Sequence, residues 1–260
     1  MTIIHDVDDL PLPRVLEPAL RERLAAMPAV IVTGARQTGK TTLARHLVPG
    51  ERRHLSLDDL DVVKLARDDP EALVGGPQPV TLEEVQREPQ VLHAVKRAID
   101  RDPRAGRFLL TGSANLLLMK NASESLAGRA SYLNLWPLTR RERLGQGACG
   151  IWDALLEYAD EDWLSLARDH HAEPSDWREI AAAGGYPTPA LRLPGQRERA
   201  VWMEGYERTC LERDLQDLSS IAALPDFRRL MRAASLRLGG VLNQSDLGRD
   251  VALPQPTVHR

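Results

Sequence analysis

The sequence predicts an α/β protein: a parallel sheet with helices on both faces, followed by a mainly helical C-terminal region. Three observations carry this expectation. Short apolar runs alternate with stretches of helical periodicity, the pattern of a sheet buried on both sides. The first apolar run leads through a glycine-bounded turn straight into a helix. Beyond about Arg143 the strand-like runs stop, and Gly145, Gly147 and Gly150 mark a boundary. The expected domains are therefore an α/β unit over residues 14–145 and a helical one over residues 151–260.

Each element follows from its local pattern. Residues 14–27 place Val15, Leu16, Leu20, Leu24 and Met27 near helical spacing, and Pro28 ends the segment. Residues 29–32 are a continuous apolar run, read as a buried strand. Residues 34–39 form a turn, and residues 40–47 a helix closed by Pro49 and Gly50. A weaker strand at 54–57 and a helix at 61–67 come next, then a third strand at 79–82. Residues 90–99 are helical, with Val91, Leu92, Val95 and Ile99 on one face. A fourth strand, 108–110, ends in Thr111, Gly112 and Ser113, and residues 130–135 supply a fifth. In the helical region, Gly184-Gly185-Tyr186-Pro187 is a turn. Residues 196–218 form a long helical segment carrying Trp202, Tyr206 and Leu211.

Composition narrows the class. A chain of 260 residues, 43% apolar and 27% charged, suits a globular protein with two domains. The net charge of -3 gives no global attraction to nucleic acid or anionic membrane. Cys149 and Cys210 have no metal-ligand spacing and are expected as reduced thiols. The first residues lack the basic start and apolar run of a signal peptide, and no stretch nears the roughly 18 apolar residues of a membrane span. A cytoplasmic protein without a membrane partner is expected.

Residues 34–41, Gly34-Ala35-Arg36-Gln37-Thr38-Gly39-Lys40-Thr41, fit the Walker A pattern in full. Polyphosphate needs convergent N–H donors, and Gly34 and Gly39 let the backbone come close enough to supply them. The helix starting near Lys40 adds the positive end of its dipole. Lys40 can reach the β- and γ-phosphates, and the Thr41 hydroxyl can ligate magnesium. Purine nucleotide binding, as ATP with Mg2+, is the expectation, with Thr42 completing the loop's contacts.

A phosphate loop of this kind works with an acidic residue at a buried strand end. Glu83 and Glu84 follow the third apolar run. Glu83 stands where the magnesium-associated carboxylate belongs and Glu84 where the base belongs. A solvated helix start is the alternative for both. Thr111 and Ser113 are candidates to contact the γ-phosphate or the attacking water, with Asn115 beyond them; a helix cap is the alternative. Arg129 could neutralise charge on the γ-phosphate, in cis or from a neighbouring subunit. Its alternative is a surface arginine.

Residues 34–42, Leu82-Glu83-Glu84-Val85-Gln86, Leu110-Thr111-Gly112-Ser113 and Leu126-Ala127-Gly128-Arg129 together resemble a family of AAA+ superfamily ATPases of bacteria and archaea. The resemblance extends to Gly184-Gly185-Tyr186-Pro187 and Glu212-Arg213-Asp214-Leu215. It implies an AAA-type P-loop sheet, ATP as nucleotide, and a ring-forming homo-oligomer that would place the site at a subunit interface. The family's first Walker B acid is usually Asp, whereas this chain has Glu83, so hydrolysis hangs on whether the longer side chain can serve. The resemblance also implies a winged helix and a further domain, nuclease-like in some relatives. The chain is expected to be truncated within that region.

Residues 243–258 resemble the start of a helix-turn-helix. Leu247 and Val251 would face inward, Leu253-Pro254 would form the turn, and Thr257-Val258 would open the recognition helix. Arg228, Arg229, Arg232 and Arg237 precede it as a basic stretch that could meet DNA phosphates or a protein partner. His170 and His171 are read as a surface pair. The leading expectation is an ATPase that couples nucleotide state to conformational change. The alternative is an ATP-responsive regulatory module with little hydrolysis. No second acceptor pocket supports a kinase, and no Asn-Lys-x-Asp motif supports a GTPase.

Overall fold

The computed structural model describes residues 11–48, 50–113, 126–169, 176–211 and 224–259. Five strands form where the apolar runs stand: β1 (Ala29–Thr33), β2 (Arg53–Ser56), β3 (Val80–Glu83), β4 (Phe108–Thr111) and β5 (Ala130–Asn134). They make one parallel sheet in the order β2-β3-β4-β1-β5. The predicted α/β class is the observed one.

Side-chain alternation along the strands sorts the core into two layers. Ala29 and Ile31 of β1, Val80 and Leu82 of β3, and Phe108 and Leu110 of β4 face one way. There they meet α3 (Leu60–Asp68), α4 (Pro70–Val74) and α5 (Val91–Arg101), which bury Ala66, Leu73, Val91, Val95 and Ile99. Val30, Val32 and Leu109 face the other way, against Leu20 of α1 (Glu17–Ala26) and Leu43. Leu43 opens a π-helical turn (Leu43–Leu47) that continues α2 (Lys40–Thr42). Each fully buried Leu or Ile contributes about 1.5–3 kcal/mol, so both sheet faces are held strongly and the strand ends are placed firmly.

One helix goes beyond the sequence expectation. At α4 the Asp69 carboxylate accepts from the Ala72 N–H at 2.9 Å and Pro70 stands in the first turn. This Asp-Pro start is a helix signal in its own right. Below the sheet, Arg52 donates to the Thr81 hydroxyl and to the Val80 and Gly106 carbonyls. Burial pulls its pKa down to about 10.

After β5 the chain is helical: α6 (Arg140–Arg143), α7 (Ile151–Glu157), α8 (Trp163–Asp169), α9 (Trp177–Ala183), α10 (Pro187–Leu191) and α11 (Gln196–Tyr206). The long helical segment expected over 196–218 is observed as α11 and a π-helical turn (Glu207–Leu211); its remainder lies outside the described residues. The Gly184–Pro187 turn packs on the chain just past β5. Leu138 N–H donates to the Gly185 carbonyl at 2.7 Å, and Tyr186 packs at a 45° tilt against Trp202 with ring centroids 5.5 Å apart.

The chain divides into two compact units, residues 1–202 and 203–260. The second contains α12 (Leu224–Ser235), α13 (Gln244–Val251) and α14 (Gln255–His259). Asn243 caps α13 through the Ser245 and Asp246 N–H groups, and Leu247 and Val251 are buried as expected. Ala252 turns the chain in the left-handed region (φ 54°). A cleft of about 420 Å³ between α12 and α13 is lined by Arg229, Arg232, Arg237 and Asp250 among others. Two of these arginines are neutralised by carboxylates, Arg229 by Asp226 and Arg237 by Asp250. Among the described residues no helix is long and apolar enough to cross a membrane.

Candidate active site

Strand parity decides which side chains reach the loop after β1. Val80 and Leu82 of β3 are committed to the α5 layer, so Thr81 and Glu83 point to the opposite face, where α2 lies. The loop itself leaves β1 at Thr33. Gly34 stands against β5: a Cβ there would sit 2.4 Å from the Leu135 carbonyl oxygen. Gly39 is left-handed (φ 95°, ψ 24°) and feeds Lys40 into the first turn of α2. Ala35, Arg36 and Gln37 complete the turn, Gln37 with φ 60°. The buried Thr38 hydroxyl donates to the Ala35 carbonyl at 3.0 Å. Lys40 is buried, and its ammonium donates to the Gly34 and Ala35 carbonyls at 3.1 and 2.9 Å.

Glu83 is 2% exposed and its two oxygens are divided. Oε2 accepts from the Thr41 hydroxyl at 2.5 Å, and Oε1 accepts from Arg45 Nε at 3.0 Å. Thr41 and Arg45 are four residues apart and share a face of their helical segment, so both reach the same carboxylate. Thr42 is exposed beside Thr41. On the neighbouring strand, His54 lies below the ordinary histidine pKa because of burial, while the Glu83 charge pulls it upward.

The strand ends abruptly at Glu84. Its backbone is left-handed (φ 58°, ψ 41°), a conformation that costs a side-chain-bearing residue on the order of 1–2 kcal/mol. The turn takes Glu84 off the alternation that would otherwise bury it toward α5. A 3-10 turn (Val85–Arg87) follows, in which Gln86 donates its amide to Glu84 Oε2. Gln86 Oε1 accepts from the Ser113 N–H at 3.2 Å, so the ends of β3 and β4 are tied. Thr111 and Ser113 are both buried. Among the described residues the Thr111 Oγ1 atom has no hydrogen-bond partner.

Arg14 lies beneath the loop, 6% exposed. It donates to the Thr38 carbonyl at 3.0 Å, the Trp136 carbonyl at 2.7 Å and Glu142 Oε1 at 3.0 Å. Glu142 also accepts from the Val15 and Thr139 N–H groups, both at 2.7 Å. It thereby closes a capping box on α6.

The structure thus brings Lys40, Thr41, Glu83, Glu84, Thr111 and Ser113 to the same end of the sheet, where β1, β3 and β4 terminate. It does not bring Arg129 there. That residue precedes β5, at the opposite end of the strands, and its guanidinium pairs with Asp100 at 2.6 Å. Asn115, His170, His171 and residues 212–215 lie outside the described residues. Sequence reasoning missed Arg14, Arg45, Gln86 and Glu142. Arg45 carried a local signal in its spacing of four from Thr41, Glu142 carried one in its capping-box spacing from Thr139, and Gln86 stood in the motif of residues 82–86 without a role.

Residues 26–144 match a family model described as an AAA domain. These residues are similar to an AAA domain and contain the phosphate loop. Residues 174–260 match the model of a domain of unknown function. Uncharacterized proteins of Mycobacterium tuberculosis and Mycobacterium bovis are each 33% identical over 244 residues, covering 93% of this chain and 48% of theirs. The chain therefore spans about half the length of these curated relatives. Solved structures similar to it include an AAA domain of FIGL-1 in complex with ADP, at 16% identity and TM-score 0.36 over 64% of this chain and 67% of that one. A DNA replication initiation factor is similar at 14% identity and TM-score 0.38, over 84% of this chain and 65% of that one. The AAA domain supports a nucleotide-binding, ATPase-like role.

Proposed function

We propose that the AAA domain binds ATP with magnesium through residues 34–42 and hydrolyses its terminal phosphate, coupling nucleotide state to conformational change. The observation that carries this reading is the meeting of the Thr41 hydroxyl and the Glu83 carboxylate at 2.5 Å beside the buried Lys40. A hydroxyl and a carboxylate are hard oxygen donors, the kind magnesium takes. Glu83 reaches Thr41 with a side chain one methylene longer than that of Asp. The bound ion would neutralise charge on the β- and γ-phosphates.

The remaining residues have separate tasks. Phosphate oxygens would replace the Gly34 and Ala35 carbonyls as partners of the Lys40 ammonium, which offsets charge developing on the γ-phosphate. A water attacks that phosphorus, its oxygen bonds as the bridging oxygen to ADP departs, and Glu84 takes the proton. The Thr111 hydroxyl, buried and without a hydrogen-bond partner among the described residues, would meet the water or the γ-phosphate. The catalytic unit would be residues 14–145, and the helical residues 151–260 would transmit the change to a further subunit, a protein or DNA.

Phosphate release by wild type and by Lys40→Ala tests the reading. We expect a loss of at least about 100-fold in the variant, and equal release would overturn it. Arg45 favours a second reading, because its hold on Glu83 Oε1 competes with a metal for that carboxylate. Here ATP acts as a switch with negligible turnover. ATP binding without phosphate release, with release restored by Glu83→Asp, would support it.

A further inference from the structure

Gln86 belongs to neither the phosphate loop nor the acidic pair, yet its side chain spans the gap between them. We propose that Gln86 is the positioning residue for Glu84: it aims the carboxylate that takes the proton, using the end of β4 as its anchor. The inference deepens the ATPase reading and rests on it.

Hydrogen-bond polarity carries the argument. The Ser113 backbone N–H can only donate, so the Gln86 atom facing it at 3.2 Å is the carbonyl oxygen Oε1. The other end of the amide is then the NH2 group, and it faces Glu84 Oε2, an atom that only accepts when ionised. Rotating the amide by half a turn would set an oxygen against a carboxylate and an NH2 against an N–H. One orientation is therefore imposed by groups at both ends. Both ends are also fixed in the backbone. Ser113 is 4% exposed at the end of β4, whose register with β1 and β3 is set by ladder hydrogen bonds. Glu84 sits in the left-handed turn, and its carbonyl accepts from the Arg87 N–H at 2.9 Å, which folds Gln86 back over it. A carboxylate side chain on a turn has several rotamers. A donor anchored to the sheet selects among them and leaves the second oxygen, Oε1, to act on water.

The assignment makes Gln86 act through Glu84 and not through ATP. Steady-state phosphate release should be measured for wild type, Lys40→Ala, Gln86→Leu, Gln86→Glu, Glu84→Gln and the Glu84→Gln/Gln86→Glu double variant, each checked for native melting. Gln86→Glu keeps the shape of the side chain and gives Glu84 no donor. We expect kcat to fall about 10- to 100-fold in both single Gln86 variants, with KM for ATP within about twofold of wild type. In the Glu84→Gln background, Gln86→Glu should cost nothing further, because residues that act as a unit are not additive. Wild-type kcat in Gln86→Glu, a loss confined to KM, or full additivity in the double variant would each overturn the proposal while leaving ATP hydrolysis in place. Wild-type release no greater than that of Lys40→Ala would instead remove the ATPase reading and this inference with it.

Discussion

The ion pair between Arg14 and Glu142 shows what a buried charge does when both carboxylate oxygens have partners. Arg14 holds two carbonyls, Thr38 within the loop and Trp136 after β5. Replacing it with methionine keeps much of the volume but leaves those carbonyls, and the Glu142 charge, underserved. Breaking such a pair from one side costs about 3–5 kcal/mol, or roughly 10 °C in melting temperature for a domain of this size. Adding Glu142→Gln to Arg14→Met should recover part of the loss, since the lone buried charge is removed while the Val15 and Thr139 N–H groups keep an acceptor. Thermal unfolding of the three proteins checks this, and a loss below about 1 kcal/mol would contradict it. The pair also marks where sequence reading stops. Gly34 to Thr41 is legible because its chemistry is contiguous. Arg14 and Glu142 lie 128 residues apart, and nothing local distinguishes Arg14 among the 34 basic residues of the chain. Gln86 stood in a quoted motif, but its role was not legible there, because it depends on the backbone N–H of Ser113 just past β4.

At the scale of elements, the strands were readable because a parallel sheet covered on both faces turns each strand into an unbroken apolar run. β2 was the weakest reading for the converse reason: it is an edge strand, and its residues are half-buried or exposed. The strand order followed from contacts and not from local pattern, yet it is the order that sets β3 beside β4 and so allows Gln86 to span them. The Gly184–Pro187 turn was legible as a turn but not as a joint. Gly185 packs so closely on the chain after β5 that a Cβ would lie 2.5 Å from the Leu138 carbonyl oxygen. Leu138 is two residues from Trp136, whose carbonyl is held by Arg14 beneath the loop. Gly185→Ala should therefore push the helical region off that segment and cost about 1–3 kcal/mol. Gly205→Ala is the control, because a Cβ there meets nothing within 4 Å. Equal melting temperatures for the two variants would show that the joint yields without cost.

For the whole molecule, Arg129 separates what one chain can do from what an assembly can do. It precedes β5 beside Ala29, whose N–H donates to the Arg129 carbonyl, whereas the phosphate loop follows Thr33 at the other end of β1. Four residues of extended chain separate those ends by about 13 Å, and the guanidinium is turned to Asp100 on α5. An arginine so placed has no route to the phosphates held by its own loop. The loss of its half-exposed ion pair should cost less than about 1 kcal/mol. At concentrations where solution mass shows a single chain, Arg129→Ala should therefore release phosphate at the wild-type rate. If the chain assembles so that Arg129 serves a neighbour, the variant's deficit should emerge only as concentration drives association. Mixing Lys40→Ala with Arg129→Ala chains should then restore part of the activity, because some interfaces would pair an intact loop with an intact arginine. A deficit that is the same at every concentration would instead mean that Arg129 reaches its own site, which would require β5 to be displaced from β1.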